Sequence, residues 1–219
     1  MAAKKSFSEQ NIIKAYMHHI LQEGNKPKNV YLFAQLNNAE EADFYKHFSS
    51  FEAIEKEIFN TFFKETIKLL NKDEDYATFE AKDKLLSFYF TFFAILTKNR
   101  SYVVHFLKNE KNKLTTLKML MPLKESFGKY IDSLGIETPD LKIPQIEKYK
   151  DKGMQELSFN QLLFTMKFWL EDSSPSFEKT DVFIEKSINT GFEVMNTSPL
   201  NSIIDLGKFL FKEKAAFSQ

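Results

Sequence analysis

The 219-residue chain predicts an all-α fold, and three observations carry that expectation. Apolar residues recur at three- and four-residue spacing along nearly its whole length, and no stretch shows the sustained alternation of a half-buried strand. Helix stop and start signals punctuate the pattern at Gly24, Ser49–Ser50, Ser174–Pro175 and Ser198–Pro199. A hydrophobic content of 43% at this length suffices for one substantial core, or for a small N-terminal module joined to a larger body.

The elements follow in order. Ser8 caps a first helix whose apolar pairs are Ile12/Ile13, Tyr16/Met17 and Ile20/Leu21, and Gly24 ends it. A short helix is expected around Asn29–Leu36, then a polar turn at Asn37–Asn38, then a short helix to about His47. Ser49 and Ser50 are N-cap candidates for a long helix carrying Ile54, Ile58, Phe62 and Ile67 on one face, which runs out in NKDEDYA at 71–77. From about Thr78 to Lys98 the pattern is apolar nearly all round in its middle, the mark of a central helix. Ser101 starts a shorter one through Phe106 and Leu107, and residues 112–134 form another that Pro122 kinks or divides. GIETPDLKIPQIEKYKDKG, 135–153, with two prolines and many charges, reads as a long connection. A stripe of Phe159, Leu162, Leu163, Met166, Trp169 and Leu170 follows. Ser174–Pro175 is a cap-then-first-turn start for a helix with Ile184, Ile188, Phe192 and Met195. Ser198–Pro199 repeats that signal for a last helix with Leu200, Ile203, Ile204, Gly207, Leu210 and Phe211.

Composition narrows function. Thirty basic residues balance thirty acidic ones, so no global charge draws the chain to nucleic acid. Arg100 is the only arginine, and base readout favours the bidentate arginine fork. The longest apolar run, LLSFYFTFFAIL at 85–96, is shorter than the roughly 18–20 residues of a membrane span. MAAKKSFSEQN lacks a signal-peptide apolar segment, and there is no cysteine, so a cytoplasmic protein without membrane insertion is expected. His18 and His19 are adjacent and point apart on a helix, while His47 and His105 stand alone. No HExxH, P-loop, GxGxxG or Glu-x-x-His motif occurs, so neither metal, cofactor nor enzymatic activity is expected.

Residues Ile12 to about Glu55 carry a denser signal. Gly24 is followed five residues later by Asn29, Phe33-Ala34 sits mid-helix, and Tyr45-Lys46-His47-Phe48 precedes Ser49-Ser50. In these spacings the segment resembles the DNA-binding domain of the tetracycline-repressor (TetR) family. The resemblance implies a helix-turn-helix head over 1–50 and a larger helical body over 51–219 that binds a ligand and forms a homodimer. It also implies contacts to double-stranded DNA from Lys28, Asn29, Tyr45, Lys46 and His47, the last three as phosphate donors that position without specifying sequence. Phe44 and Phe48 are expected to hold the short helix to Ile12, Tyr16 and Phe33.

The segment departs from the family in one respect. The turn that would enter the major groove is Glu40-Glu41-Ala42-Asp43, and Phe51 stands where relatives commonly have lysine. Over residues 1–55 six lysines face seven carboxylates. Counterion release needs several cations on one face. Carboxylates in a first helical turn instead favour folding, by about 0.3–1 kcal/mol each. Two functions are therefore carried forward. One is a ligand-responsive regulator binding DNA as a dimer. The other is a TetR-fold small-molecule or lipid-binding protein that has lost DNA binding. A third reading, an adaptor, would offer the Glu40–Asp43 surface to a basic partner.

In the body, the resemblance implies an apolar small molecule or lipid among Phe88, Tyr89, Phe92, Tyr102, His105, Phe127, Phe164 and Phe168. Tyrosine and histidine would bring polar tips into an apolar wall. The implied dimer surface is Phe159, Leu163, Met166, Trp169, Leu170, Ile184, Ile188 and Phe192, and one-sided packing on the chain's own core is its alternative.

Overall fold

The computed structural model describes residues 7–109, 113–136 and 144–195, and among them every regular element is helical. The helix expected from Ser198 through Phe211 lies outside the described residues. By its contacts the chain groups into two compact units, residues 1–67 with 92–126 and residues 68–91 with 127–219.

The first unit begins with α1 (Glu9–Glu23), where Ser8 Oγ accepts from Asn11 N–H at 3.4 Å. Gly24 ends it at φ 71°, a left-handed conformation that L side chains disfavour, and donates its N–H to Ile20 O at 2.9 Å. Then come α2 (Val30–Leu36), α3 (Glu41–Tyr45) and α4 (Phe51–Leu70). Ser50 Oγ accepts from Ala53 N–H at 3.2 Å, so the second of the two candidate serines caps α4. Ile54, Ile58 and Phe62 are buried as the periodicity predicts, and Ile67 is half-buried. The unit also takes in α5 (Ala81–Lys98) from Phe92 onward, α6 (Arg100–Asn109), α7 (Lys113–Met119) and α8 (Met121–Ser133) as far as Ser126. The expected 112–134 helix is divided at Leu120, and Pro122 falls in the first turn of α8, where its missing N–H costs no helical bond.

The second unit holds the first half of α5, the rest of α8, α9 (Pro144–Glu171) and α10 (Glu178–Met195). Tyr130 OH donates to Lys84 O at 2.9 Å; its one proton is thereby committed, so at 2.8 Å Tyr76 OH is the donor to Tyr130. The long connection expected over 135–153 is corrected here: α9 starts at Pro144. Proline is compatible with a first turn, and the Glu, Lys and Gln that follow are good helix formers.

A second correction concerns the start of α10. Ser174–Pro175 opens only a 3-10 turn, Pro175–Phe177, in which Ser176 (φ 53°) and Phe177 (φ 63°) are both left-handed. Ser174 Oγ accepts from Lys179 N–H at 3.2 Å in the first turn of α10, and the rest of the capping comes from Asp172, 8% exposed. Its Oδ1 accepts from Ser174 N–H (2.8 Å) and Oγ (2.7 Å), and its Oδ2 from Thr180 N–H (2.9 Å) and Oγ1 (2.7 Å). Burial alone would raise this carboxyl, but the bonds from Ser174 and Thr180 outweigh it and hold the group well below the usual carboxylate range. Because the folded-state value is depressed, the stabilisation is present above the unfolded value near about 4 and fades as pH falls through the window below it. Asp172→Asn should cost about 1–3 kcal/mol at neutral pH, the range for disrupting buried hydrogen bonding. Denaturant unfolding should show the wild-type advantage narrowing below about pH 4; a gap unchanged by acid would refute the assignment.

Candidate functional site

The N-terminal head is assembled around rings. Asn29, in extended conformation, accepts from Leu32 N–H at 2.9 Å through Oδ1 and starts α2. That helix buries Val30, Phe33 and Ala34 and turns Tyr31, Leu32 and Leu36 outward. Its end is folded back by Asn37 Nδ2, which donates to Phe33 O at 2.8 Å, and by Ala39 N–H on Ala34 O at 2.9 Å. Asn38 takes φ 55°, a conformation asparagine tolerates. Phe33 meets Tyr16 (6.4 Å between centroids), Phe44 (6.1 Å) and Phe51 (5.6 Å). Phe44 is the one buried residue of α3, and it also touches Phe48 at 6.3 Å and Phe51 at 5.6 Å. Phe51, which also stacks on Tyr16 at 5.6 Å, was missed by sequence reasoning; an aromatic at a usually cationic position was its only signal.

All five candidate DNA contacts, Lys28, Asn29, Tyr45, Lys46 and His47, are exposed on this head. Three are already engaged. Asn29 Oδ1 holds the cap. Lys46 Nζ lies 2.7 Å from Asp43 Oδ1, and that carboxylate's hydrogen bond and charge raise the ammonium pKa. Tyr45 OH donates to Glu41 Oε1 at 3.3 Å, and partial burial together with the Glu41 charge raises the phenol. Asp43 Oδ2 also accepts from Glu40 N–H at 3.3 Å, the return half of a capping box. The acids of the reading turn thus cap α3 and hold its donors.

The eight candidate ligand residues are divided between the two units. In the second unit, Phe88, Tyr89 and Phe127 are buried against one another, with Phe88 and Phe127 at 5.2 Å and Tyr89 and Phe127 at 6.4 Å. Burial pushes the Tyr89 phenol upward. In the first unit, Phe92 and Tyr102 are buried, His105 is half-buried, and Phe106 lies between Tyr102 (6.3 Å) and Phe59 (5.2 Å). Phe164 and Phe168 are corrected: Phe164 is 55% exposed, and both lie on the outer face of α9 against Phe183, at 5.6 and 4.6 Å. Two residues along a helix reverse direction, so a stripe that buries Leu162 and Met166 sends 164 and 168 outward.

That geometry also moves the predicted dimer stripe. Phe159, Met166, Trp169, Ile184 and Ile188 are buried within the chain itself, the one-sided packing that was the alternative; Leu163, Leu170 and Phe192 are half-buried. The surface left open is a groove of about 440 Å³ along α9 and α10, lined by Phe168, Val182 and Phe183 with Glu178, Lys179 and Lys186 at its edges. Among the described residues no His, Asp and Glu cluster is placed to hold a metal ion, and no helix is long and apolar enough to cross a membrane.

A family model described as tetracyclin repressor-like, C-terminal domain, matches residues 84–210, more than half of the chain. No curated relative matches it. The ring cluster supplies a direct check on the head: Phe33→Ala should lower unfolding free energy by about 3–5 kcal/mol, as for a large buried aromatic. Loss below about 1 kcal/mol in a denaturant titration, within the range of ordinary substitutions, would show that α2 is held otherwise.

Proposed function

The chain belongs to the tetracycline-repressor (TetR) family, and from that premise we propose that it is a cytoplasmic, ligand-responsive transcriptional regulator that binds DNA as a homodimer. Residues 1–50 serve as the reading head and 51–219 as the ligand-binding and dimerisation body. The observation that carries this reading is the head itself: α2 and α3 are fixed by the Phe33 cluster, leaving Lys28, Asn29, Tyr45, Lys46 and His47 exposed. The ligand is an apolar small molecule or lipid, consistent with the aromatic interior around Phe88, Tyr89 and Phe127. The two copies meet through the apolar outer face of α9 and α10, where Phe164, Phe168, Val182 and Phe183 are at least partly exposed. Ligand binding acts by shifting the population of head arrangements that can grip DNA.

A specific observation favours a second reading, a TetR-fold ligand carrier without DNA activity. Lys46 is paired with Asp43, whose charge offsets its own, and Tyr45 has its one proton on Glu41 and must leave that carboxylate to donate to a phosphate.

Fluorescence anisotropy with mixed duplex DNA at about 50 and 200 mM salt separates the two. The regulator predicts binding that weakens steeply with salt, is reduced by Lys46→Ala, and is strengthened about two- to fivefold by Glu41→Gln, the weight of one exposed charge contact. Absence of binding at the lower salt leaves the carrier reading. For the assembly, Phe164→Asp should convert a dimer to a monomer in sedimentation analysis while the helical circular-dichroism signal is kept; an unchanged dimer would place the contact elsewhere.

A further inference from the structure

Glu55 is a buried carboxylate in the second turn of α4, 7% exposed, on a helix whose other inward residues there are Ile54, Ile58 and Phe59. An unpaired carboxylate could not remain ionised in such a place without a large cost. Its two oxygens are used differently. Oε1 accepts from Tyr16 OH at 2.7 Å, and Oε2 accepts from Lys26 Nζ at 2.8 Å. Tyr16 belongs to α1 and is fully buried in the ring cluster, where a phenylalanine would pack as well. Its hydroxyl is therefore not needed for volume. Lys26 lies in the corner between α1 and α2, beside buried Pro27 and three residues before the Asn29 cap. It also stands 3.8 Å from Glu52. Tyr102 of α6 is a further group close to Glu55: after burial, the Glu55 charge is what raises its phenol.

We propose that Glu55 is a positioning residue for the reading head: one buried carboxylate ties α1, through Tyr16, and the α1–α2 corner, through Lys26, to a single rotation and height on α4. Ring packing alone tolerates sliding, because faces and edges offer many contacts of similar depth. A charge-assisted hydrogen bond is short and directional, so it selects one register. The lysine arm is half exposed and adds little stability. Its role is placement: it sets where the backbone turns into α2, and so where Lys28 and Asn29 face outward. The consequence for DNA rests on the regulator reading; the consequence for the head's motion does not.

The test uses the full chain with Glu55→Gln, Lys26→Met and the double variant. Glu55→Gln keeps an acceptor for Tyr16 and removes the charge. Lys26→Met alters only a half-exposed side chain and carries the test if the first variant folds poorly. In hydrogen–deuterium exchange, amides of the α1–α2 corner and the start of α2 should exchange about tenfold faster in Glu55→Gln and about two- to fivefold faster in Lys26→Met, with α9 and α10 unchanged. The double variant should exchange no faster than Glu55→Gln alone, because the two residues act through one contact. Duplex affinity should fall while the slope of affinity against salt stays the same, since no phosphate contact is removed. Exchange that is unchanged, or raised equally throughout the chain, overturns the proposal. Localised exchange in a chain whose wild type binds no duplex supports the clamp and rejects the regulator reading instead.

Discussion

Helices of seven and five residues do not persist in water, because the cost of nucleating a helix is recovered only over several further turns. The head therefore depends on the burial of Phe33 and Phe44 among Tyr16 and Phe51. Every other feature of the head follows from that cluster. It requires α2 to arrive at a fixed angle, hence the left-handed Gly24 and the Asn29 cap. It requires α3 to return at once, hence Asn38 in a left-handed turn. It also explains Phe51 on α4, since a lysine there would leave a gap between three rings. The ring cluster holds the head to the long helix, and Glu55 fixes its register.

The same economy governs the acids of α3. A helix this short has nearly all of its amides at a terminus, so carboxylates near its start contribute to folding out of proportion to their number. Asp43 accepts from both Glu40 N–H and Lys46 Nζ, which bridges the first turn to the residue after the last. The exposed ion pair is individually weak, on the order of 0.2–1 kcal/mol. An exposed pair this weak leaves Lys46 open to exchange with any other anion that reaches it. Local stability and phosphate attraction draw on the same few side chains here, and the sequence divides them in favour of stability.

How much of this was legible in the sequence depended on whether the deciding contact was local. The caps at Ser8 and Gly24 are one-turn interactions and were readable, as was the α9 stripe through Leu162, Met166 and Trp169. In the 135–153 segment proline and charge point to a connection, whereas at the first turn of α9 proline is permitted and Glu, Lys and Gln favour helix. For Phe164 and Phe168 helical phase decides over aromatic character: they lie between the inward positions Leu162, Met166 and Trp169. The Tyr16–Glu55 bond spans 39 residues and leaves no periodic trace, so Glu55 registered only as a charge.

The α9–α10 corner shows what such a non-periodic contact is for. Two successive non-glycine residues in the left-handed region, Ser176 and Phe177, cost of order 1–3 kcal/mol each and persist only where the surroundings over-determine them. Asp172 does so from one side with four hydrogen bonds, and the Trp169 ring, 6.0 Å from Phe177, does so from the other. A conventional cap directly before Pro175 would start α10 earlier and, at 100° per residue, with a different face inward. The strained turn sets the phase instead. Ile184 and Ile188 then fall inward, Phe183 stacks on Phe168 at 11° between planes, and Gln161 Nε2 reaches Ser187 Oγ at 2.8 Å. The apolar strip left on the outside is thus set at the corner: Asp172 selects which side of α10 packs inward on α9 and which side is left outward.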